Sequence, residues 1–389
     1  MGPRGALSSR ALVAATSAAF ALSVVAAPVL AEGEQAGGRT YVQTNLVSDV
    51  PGLAAHTDPN LRNPWQTSTG PGLPIWVSDN ASGVTTLYDS QGNLKEVSPN
   101  QPSVAIPAPP SAGPGAVGAP TGTAFNPTPD GFVVSGKGGA SGPSRFLFAT
   151  EDGTIVGWNP TVNVQSAVIA VDRSQATDTE GDHGAVYKGL ALVTTPAGKF
   201  LYATNFRFGQ VEVFDSNFNI VNIFTDPTVP AGFAPFGIHN IGGKLFVTFA
   251  KQTAHKHDDV AGPGNGFVDV FSPDGVRLQR FASHGKLDSP WAVTLAPATF
   301  GAFGGDILVG NFGSGQIGAY EATNGEFRGQ LRNTDGGALT ISGLWGLRFP
   351  TTSLNVTDPN ALYFTAGINK EADGLFGTLT PNPQKDNEK

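Results

Sequence analysis

The sequence predicts an all-β chain folded as a six-bladed β-propeller, with four-stranded blades and the N-terminal strand closing the last blade. Three observations lead there. Gly and Pro are abundant, at 51 and 30 of 389 residues, and short alternating apolar runs recur where helical periodicity is nearly absent. One unit then returns six times: "GVTTLYD" from Gly83, "GTIVGWN" from Gly153, "GQVEVFD" from Gly209, "GFVDVFS" from Gly266, "GQIGAYE" from Gly315 and, degraded, "GLFGTLT" from Gly374. The mean spacing is about 58 residues, and a sustained period of this order marks a repeat architecture. Finally, every copy carries the same two strands upstream, which makes each repeat a sheet of its own.

The elements of one repeat follow in order. The opening strand reads "NPWQT", "GTAFN", "YKGLAL", "APFGI", "SPWAV" and "GLWGL" in the six copies. The second strand reads "IWVSD", "LFATE", "LYATN", "LFVTF", "ILVGN" and "LYFTA", and the glycine-led unit is the third. A weaker fourth strand follows in "IVNIF", "RLQRF" and "FRGQL". After "GTLTP" no fourth strand remains for the last repeat, whereas "TYVQTNLVSD", Thr40 to Asp49, stands alone before the first. It is expected to complete the last blade beside Leu375–Leu379, which removes an exposed sheet edge. Pro107 to Gly122 lacks a strand's alternation and reads as a long loop between blades.

The propeller is expected to occupy residues 41–381, with a flexible segment at 32–40 and a polar tail at 382–389. Residues 1–31 read as a secretory signal, with Arg4 and Arg10 ahead of an apolar run and small residues around a cleavage point near Ala31. The expected location is secreted, periplasmic or otherwise extracytoplasmic, with no membrane span in the mature chain. Without Arg4 and Arg10, 21 of the 23 basic residues remain against 31 acidic ones, a balance of −10. No Lys/Arg cluster offsets it, which argues against nucleic acid as a partner. Cysteine is absent, so disulfides and thiolate chemistry are excluded and the fold rests on its apolar core. A monomer is expected.

"NPW", "WVSDN", "FATEDGTIVGWNP", "GAVYKGLAL", "NIGGKLFVTFAKQ", "KHDDVAGPGNGFVDVF" and "GLWGL" together resemble a family of uncharacterised secreted bacterial NHL-like propellers. The resemblance spans Tyr41 to Pro381, and the membrane-sorting tail that ends some members of that family is not expected here. It implies the six-bladed fold and leaves activity open.

Antiparallel order within a blade brings the start of the first strand, the end of the second and the loop from second to third onto one face of the disc. Loops on such a face are where binding concentrates. The second-strand ends form a column there: Asp79, Glu151, Asn205, Phe249, Asn311 and Ala366. Oxygen ligands from several blades suit calcium or another divalent cation, as in six-bladed lactonases, an analogy of fold alone. Neighbouring members would stand about 8–12 Å apart, too wide for one ion unless the loops fold inward. The alternative is that these residues shape turns.

Lys188 occupies the position of Trp65, Phe236, Trp291 and Trp345 in other blades. Those aromatics are expected to pack between blades. A lysine in their place must be paired or reach the channel, because an unpaired buried ammonium is costly. Glu151, Asp182 and Asp79 are its candidate partners, Glu151 foremost. The acidic run "TDTEGDHG" leads into the same strand and offers Asp182 and His183, or is simply a solvated loop.

The loop from Ala250 to Asn265 in blade four takes about fifteen residues where other blades use a few, and long loops of this kind are commonly functional. It carries His255, Lys256, His257, Asp258 and Asp259. Two histidines on one side of an extended segment with two aspartates are compatible with a metal set, but no second histidine pair or helical HExxH accompanies them. The loop is equally readable as a ligand-binding or catalytic element, or as a structural one. The ligand-binding positions expected on this face are Asp79, Asn80, Glu151, Lys188, Asn205, Lys251, His257, Asp258, Asp259 and Asn311. The candidate metal ligands are Asp79, Glu151, Asp182, His257 and Asp259, and the candidate catalytic groups are Lys188, Glu151, His257 and Asp258. Three functions fit: binding of a small molecule, glycan or peptide over the channel; a calcium-type metal-dependent hydrolase or lactonase; and a cell-envelope scaffold. The sequence does not decide between binding and catalysis.

Overall fold

Along each repeat the apolar character declines, and this gradient orders the strands from axis to rim. Second strands such as Ile75–Asp79 and Phe146–Thr150 are buried along their whole length, because neighbouring blades cover both of their faces. The fourth strand Ile220–Phe224 is largely exposed, as suits the wide outer edge of a ring. The structure, a computed structural model, describes residues 39–350 and 358–383. These belong to one compact unit that begins at Gln35. The expected leader, residues 1–31, and the polar tail from 384 onward lie outside the described residues. No helix among the described residues is long and apolar enough to cross a membrane.

Six four-stranded antiparallel blades form the ring, the sixth carrying an added two-residue parallel strand, His56–Thr57, outside Tyr41–Ser48. From the channel outward, blade one is Pro64–Ser68, Ile75–Asp79, Val84–Tyr88 and Ser103–Ala105. Blade two is Pro120–Phe125, Phe146–Thr150, Thr154–Trp158 and Val168–Asp172. Its first strand therefore starts inside the segment expected to be loop as far as Gly122. Blade three is Tyr187–Thr195, Gly198–Asn205, Gln210–Phe214 and Ile220–Phe224. Blade four is Phe233–Ile241, Lys244–Lys251, Phe267–Phe271 and Arg277–Ser283. Blade five is Pro290–Leu295, Ile307–Asn311, Ile317–Tyr320 and Phe327–Gln330. Blade six is Leu344–Arg348, Leu362–Gly367, Asp373–Pro381 and, on its outer edge, Tyr41–Ser48.

The closing strand pairs antiparallel with its neighbour from Tyr41↔Pro381 to Ser48↔Leu375, as the orphan strand in the sequence implied. Tyr41 also donates its backbone N–H to Arg332 O at 2.8 Å, tying blade six to blade five. A short hairpin, Val133–Ser135 with Ser141–Pro143, is inserted in blade two; its sequence had no distinct signal.

Every inner strand carries a β-bulge near its start. In five blades the bulge turns a large side chain toward the axis, Trp65, Lys188, Phe236, Trp291 and Trp345, while Thr121 of blade two donates instead to Tyr187 O of the next blade at 2.9 Å. The aromatics therefore do not pack between blades as expected. They meet across the channel and plug it. Trp65 and Trp345 stack at 3.5 Å, and Trp291 stands edge-on to both at 5.8 Å. The next residue explains the difference, being Gly122, Gly189, Gly237, Ala292 and Gly346 in five blades. A Cβ at Gly237 would come within 2.0 Å of Trp291 O, and one at Gly346 within 2.6 Å of Trp65 O. Adjacent inner strands thus approach backbone to backbone, which narrows the ring until the large side chains meet.

Threonines of the second strands secure this seam. Gly237 N donates to Thr248 Oγ1 at 2.8 Å, while Gly189 N donates to Thr204 Oγ1 at 2.7 Å. Thr204 Oγ1 in turn donates to Phe236 O of the next blade at 2.7 Å. Gly237→Ala should force these backbones apart and destabilise the protein by about 1–3 kcal/mol, the usual cost of overpacking a dense core. Urea unfolding checks it, and a loss below about 0.5 kcal/mol would contradict the close approach.

Candidate functional site

The bulge that places the plug also fixes Lys188. Its side chain is 3% exposed, its Nζ pairs with Glu151 Oε1, and it lies 5.1 Å from the centre of the Trp65 ring. Glu151 follows the second strand of blade two directly, so the expected pairing of Lys188 with Glu151 is what the structure contains. Burial works to raise the Glu151 carboxyl, but the Lys188 ammonium and the His257 imidazole overcome it and hold the group below its ordinary range.

From Glu151 a polar network runs around the mouth of the channel. Asn80 Nδ2 donates to Glu151 Oε2 at 2.8 Å. Asn63 Nδ2 donates to Asn80 Oδ1 at 3.3 Å and to Glu371 Oε2 at 2.8 Å, while its Oδ1 accepts from Trp345 Nε1 at 2.9 Å. Blade four adds the tip of its long loop. Lys188 Nζ is 4.0 Å from Asp258 Oδ1, which is 2.8 Å from His257 Nδ1. One ligand atom each of Glu151, His257 and Asp258 lies within 4.8 Å of the other two. The hydrogen bond from His257, followed by the Lys188 charge against the opposing effect of burial, holds Asp258 below its ordinary range.

The loop reaches inward because its stem is a hairpin and its tip is anchored. Val260 N donates to Lys251 O at 2.7 Å and Thr253 N to Asp258 O at 2.9 Å. Lys256 Nζ then binds Asp182 Oδ2 at 2.6 Å and Glu180 Oε2 at 2.8 Å, strapping the loop to the acidic run of blade three. These two carboxylates raise the Lys256 pKa. Asp259 lies half-buried beneath the tip beside the Ser289 hydroxyl, and burial pushes its carboxyl up. On the outer side of the strap, a recess of about 540 Å³ is lined by Glu180, Arg207, Phe208, Gln252 and Lys256 among others.

Several expected site residues lie elsewhere. Asp79 turns into its own blade, where its Oδ2 accepts from Thr86 N at 2.9 Å and Thr86 Oγ1 at 2.8 Å. Burial, together with the charge of Asp58, pushes its carboxyl well up. Asn205 shapes a turn, its Oδ1 accepting from Val186 N and Phe208 N while its Nδ2 donates to buried Glu212 at 2.9 Å. Asn311 does likewise, accepting from Asp288 N at 3.0 Å and donating to Lys286 O at 3.1 Å. For Asn205 and Asn311 the turn-forming alternative describes the structure, whereas Asp79 braces the neighbouring strand through Thr86. Asp182 is engaged by Lys256, His255 is exposed and outside the Glu151–His257–Asp258 group, and Lys251 is exposed at the root of the loop. Of the candidate metal ligands, Glu151 and His257 come together, and Asp258 joins them.

Two members of the network had no place in the sequence reading. Asn63 precedes Pro64 with φ 44°, and an Asn-Pro at the head of an inner strand was its only signal. Glu371 ends a left-handed turn, with φ of 53°, 60° and 66° at Asn369, Lys370 and Glu371. Each such residue costs about 1–2 kcal/mol. Asn369 Nδ2 donates to Asp373 Oδ2 at 2.8 Å across the turn. Burial, then the charge of Glu151 among its neighbours, raises the Glu371 carboxyl.

No family model matches the chain. It is 32% identical over 347 residues to "Uncharacterized protein R648" of Acanthamoeba polyphaga mimivirus, covering 87% of this chain and 80% of that one. It is 33% identical over 363 residues to "Uncharacterized protein L690" of the same virus, covering 87% and 86%. Among solved structures, a streptogramin B lyase superposes with a TM-score of 0.45 at 13% identity, over 88% of this chain and 97% of that one. The WD40 domain of Neurospora crassa Pan2 does so at 0.47 and 11%, over 89% and 97%. Similarity at this level carries no statement about activity.

Proposed function

This chain belongs to the family of the mimivirus proteins R648 and L690, and we propose that it is an exported, monomeric binding propeller whose loop face takes a polar small molecule, glycan or peptide over the plugged channel. One observation carries the reading. Five of the six blades contribute to a single network at the mouth, through Asn63, Asn80, Glu151, Lys188, Asp258 and Glu371. The Trp65–Trp345 stack lies against it, joined through Lys188 and the Trp345 indole N–H.

Carboxyl groups dominate here, with Glu151, Asp258, Asp259 and Glu371 around the single ammonium of Lys188. The complementary ligand is rich in donors, a polyol or an amine.

A divalent-cation hydrolase is the second reading, favoured by the grouping of Glu151, His257 and Asp258. These residues do not fit calcium, which takes six to eight oxygens. The Lys188 ammonium, bound to Glu151 and 4.0 Å from Asp258, already supplies the positive charge such an ion would bring. Metal analysis of the purified protein should find less than stoichiometric calcium.

Replacing His257, Asp258 and Asp259 together with Ala should weaken binding of a loop-face ligand at least tenfold. The melting temperature should move by no more than a few degrees, since the tip is exposed and its hairpin stem is untouched. A thermal-shift panel of sugars, polyols and amines on both proteins tests this. A hit retained with unchanged affinity in the triple variant refutes the site, and a large drop in melting temperature makes the loop a structural clamp.

A further inference from the structure

The opposite end of the channel holds an arginine with no carboxylate partner among the described residues. Beyond the plug, the C-terminal halves of the inner strands surround a cavity of about 570 Å³, lined by Gln66, Ser68, Thr123, His239, Thr294 and Arg348 among others, with no carboxylate in its described lining. Arg348 ends the inner strand of blade six. Its Nε donates to Thr67 O at 2.9 Å, and its two terminal nitrogens have no protein partner among the described residues.

The neighbours are arranged to donate rather than to neutralise. Gln66 uses its amide oxygen to accept from Thr123 N at 2.9 Å, and its NH2 group has no protein partner among the described residues. Ser68 and Thr123 share a hydroxyl contact at 3.1 Å. His239 Nε2 lies 3.0 Å from Trp291 O; a carbonyl only accepts, so this nitrogen carries the proton. Burial, with the nearby Arg348 charge adding to it, lowers His239 to about 4, so it is neutral at pH 7. Burial also lowers Arg348 to about 10, with no acid acting against it.

We propose that this cavity binds a small molecule bearing a carboxylate or phosphate, with the Arg348 guanidinium as its charge partner and the Gln66 amide as a neutral donor. A guanidinium offers five donors in a planar fork that matches such oxyanions, and here only one is engaged by protein. A charge drawn partly out of water without a partner, as half-buried Arg348 is, is costly. Water can solvate the group but cannot neutralise it. Among the described residues the lining supplies no acid, which leaves the counter-charge to a bound anion.

The test uses the full chain with inorganic phosphate and with succinate as probes, by isothermal titration and by thermal shift at ionic strength matched with chloride. Saturable one-to-one binding of at least one probe is expected, with a raised melting temperature. Arg348→Gln should weaken that binding at least tenfold, and His257→Ala, on the other face, should leave it unchanged. Should Arg348→Gln not fold, Arg348→Lys replaces it; the charge stays, the fork is lost, and at least threefold weaker binding is expected. Absence of binding and stabilisation by both probes in the unaltered chain overturns the proposal. So does wild-type affinity in the folded Arg348 variant.

Discussion

Deleting residues 1–48 is expected to leave a chain that no longer folds cooperatively, whereas deleting residues 1–38 leaves folding intact. The segment between these end points is the outer strand of blade six. Its Tyr41 and Val47 are 1% and 0% exposed, and Leu46 is 8% exposed. Burying such side chains contributes about 1.5–3 kcal/mol each, against a typical total stability of about 5–15 kcal/mol. The deletion also removes the ladder from Tyr41↔Pro381 to Ser48↔Leu375 and the bond from Ser48 Oγ to Gly374 O at 2.6 Å. What remains is an unpaired edge on Asp373–Pro381, a template for aggregation. Circular dichroism melts and size-exclusion chromatography of both truncations decide the matter. A melting temperature within a few degrees of the full chain for the longer deletion would mean that the ring does not depend on this closure.

The second large effect is expected from Lys188→Met, which should lower stability at pH 7 by about 3 kcal/mol, the lower end of the 3–5 kcal/mol lost when one partner of a buried pair is removed. The methionine fills the lysine's place against Trp65, so the loss comes from Glu151, left buried without its cation. Its pH dependence has a definite sign. In the unaltered protein the Glu151 carboxyl is held below its ordinary range. Its contribution is therefore fully present above the unfolded value of about 4.3, and it is lost as pH falls through the lowered folded value. In Lys188→Met burial acts with less opposition and the group shifts upward. The penalty is then present at neutral pH and relieved as pH falls toward 4. Adding Glu151→Gln should recover at least half of the loss, because an amide can lie between Asn80 and the plug without a charge. Urea unfolding of the four proteins of the cycle, at pH 7 and pH 5, measures these quantities. A single-variant loss below about 0.5 kcal/mol, or no recovery in the double variant, contradicts a buried pair.

Both predictions concern features that left a mark in the sequence. A repeat of glycine, alternation and aromatic residue shows in one dimension because each blade is a local unit whose strands follow one another in the chain. The surplus strand at Thr40–Asp49 and the missing one after Pro381 likewise specify closure by simple counting. Lys188 was conspicuous because a charge at an aromatic position must find a partner, and the only question was which one. The long loop of blade four stood out by its length alone.

What the sequence by itself determined is therefore the six-bladed fold, its closure, and the face and blade on which Lys188, Glu151 and the His257–Asp259 loop lie. What only the tertiary structure decided is where side chains point and which of them meet. Along the sequence Glu151 aligns with Asp79, Asn205 and Asn311, yet the register puts Thr150 there, opposite Pro120 as Asp79 is opposite Pro64 and Asn311 opposite Pro290. Glu151 stands one residue further on, like Asn80, and for that reason turns to the mouth. The aromatics converge on the axis instead of between blades because small residues beside them let the inner strands close up, a distance effect that no spacing along the chain records. Glu371 joins the site through three consecutive left-handed residues, and Arg348 faces a cavity without an acid. Both depend on close approach between strands far apart in the chain, and pattern along a sequence carries periodicity and composition but not that approach.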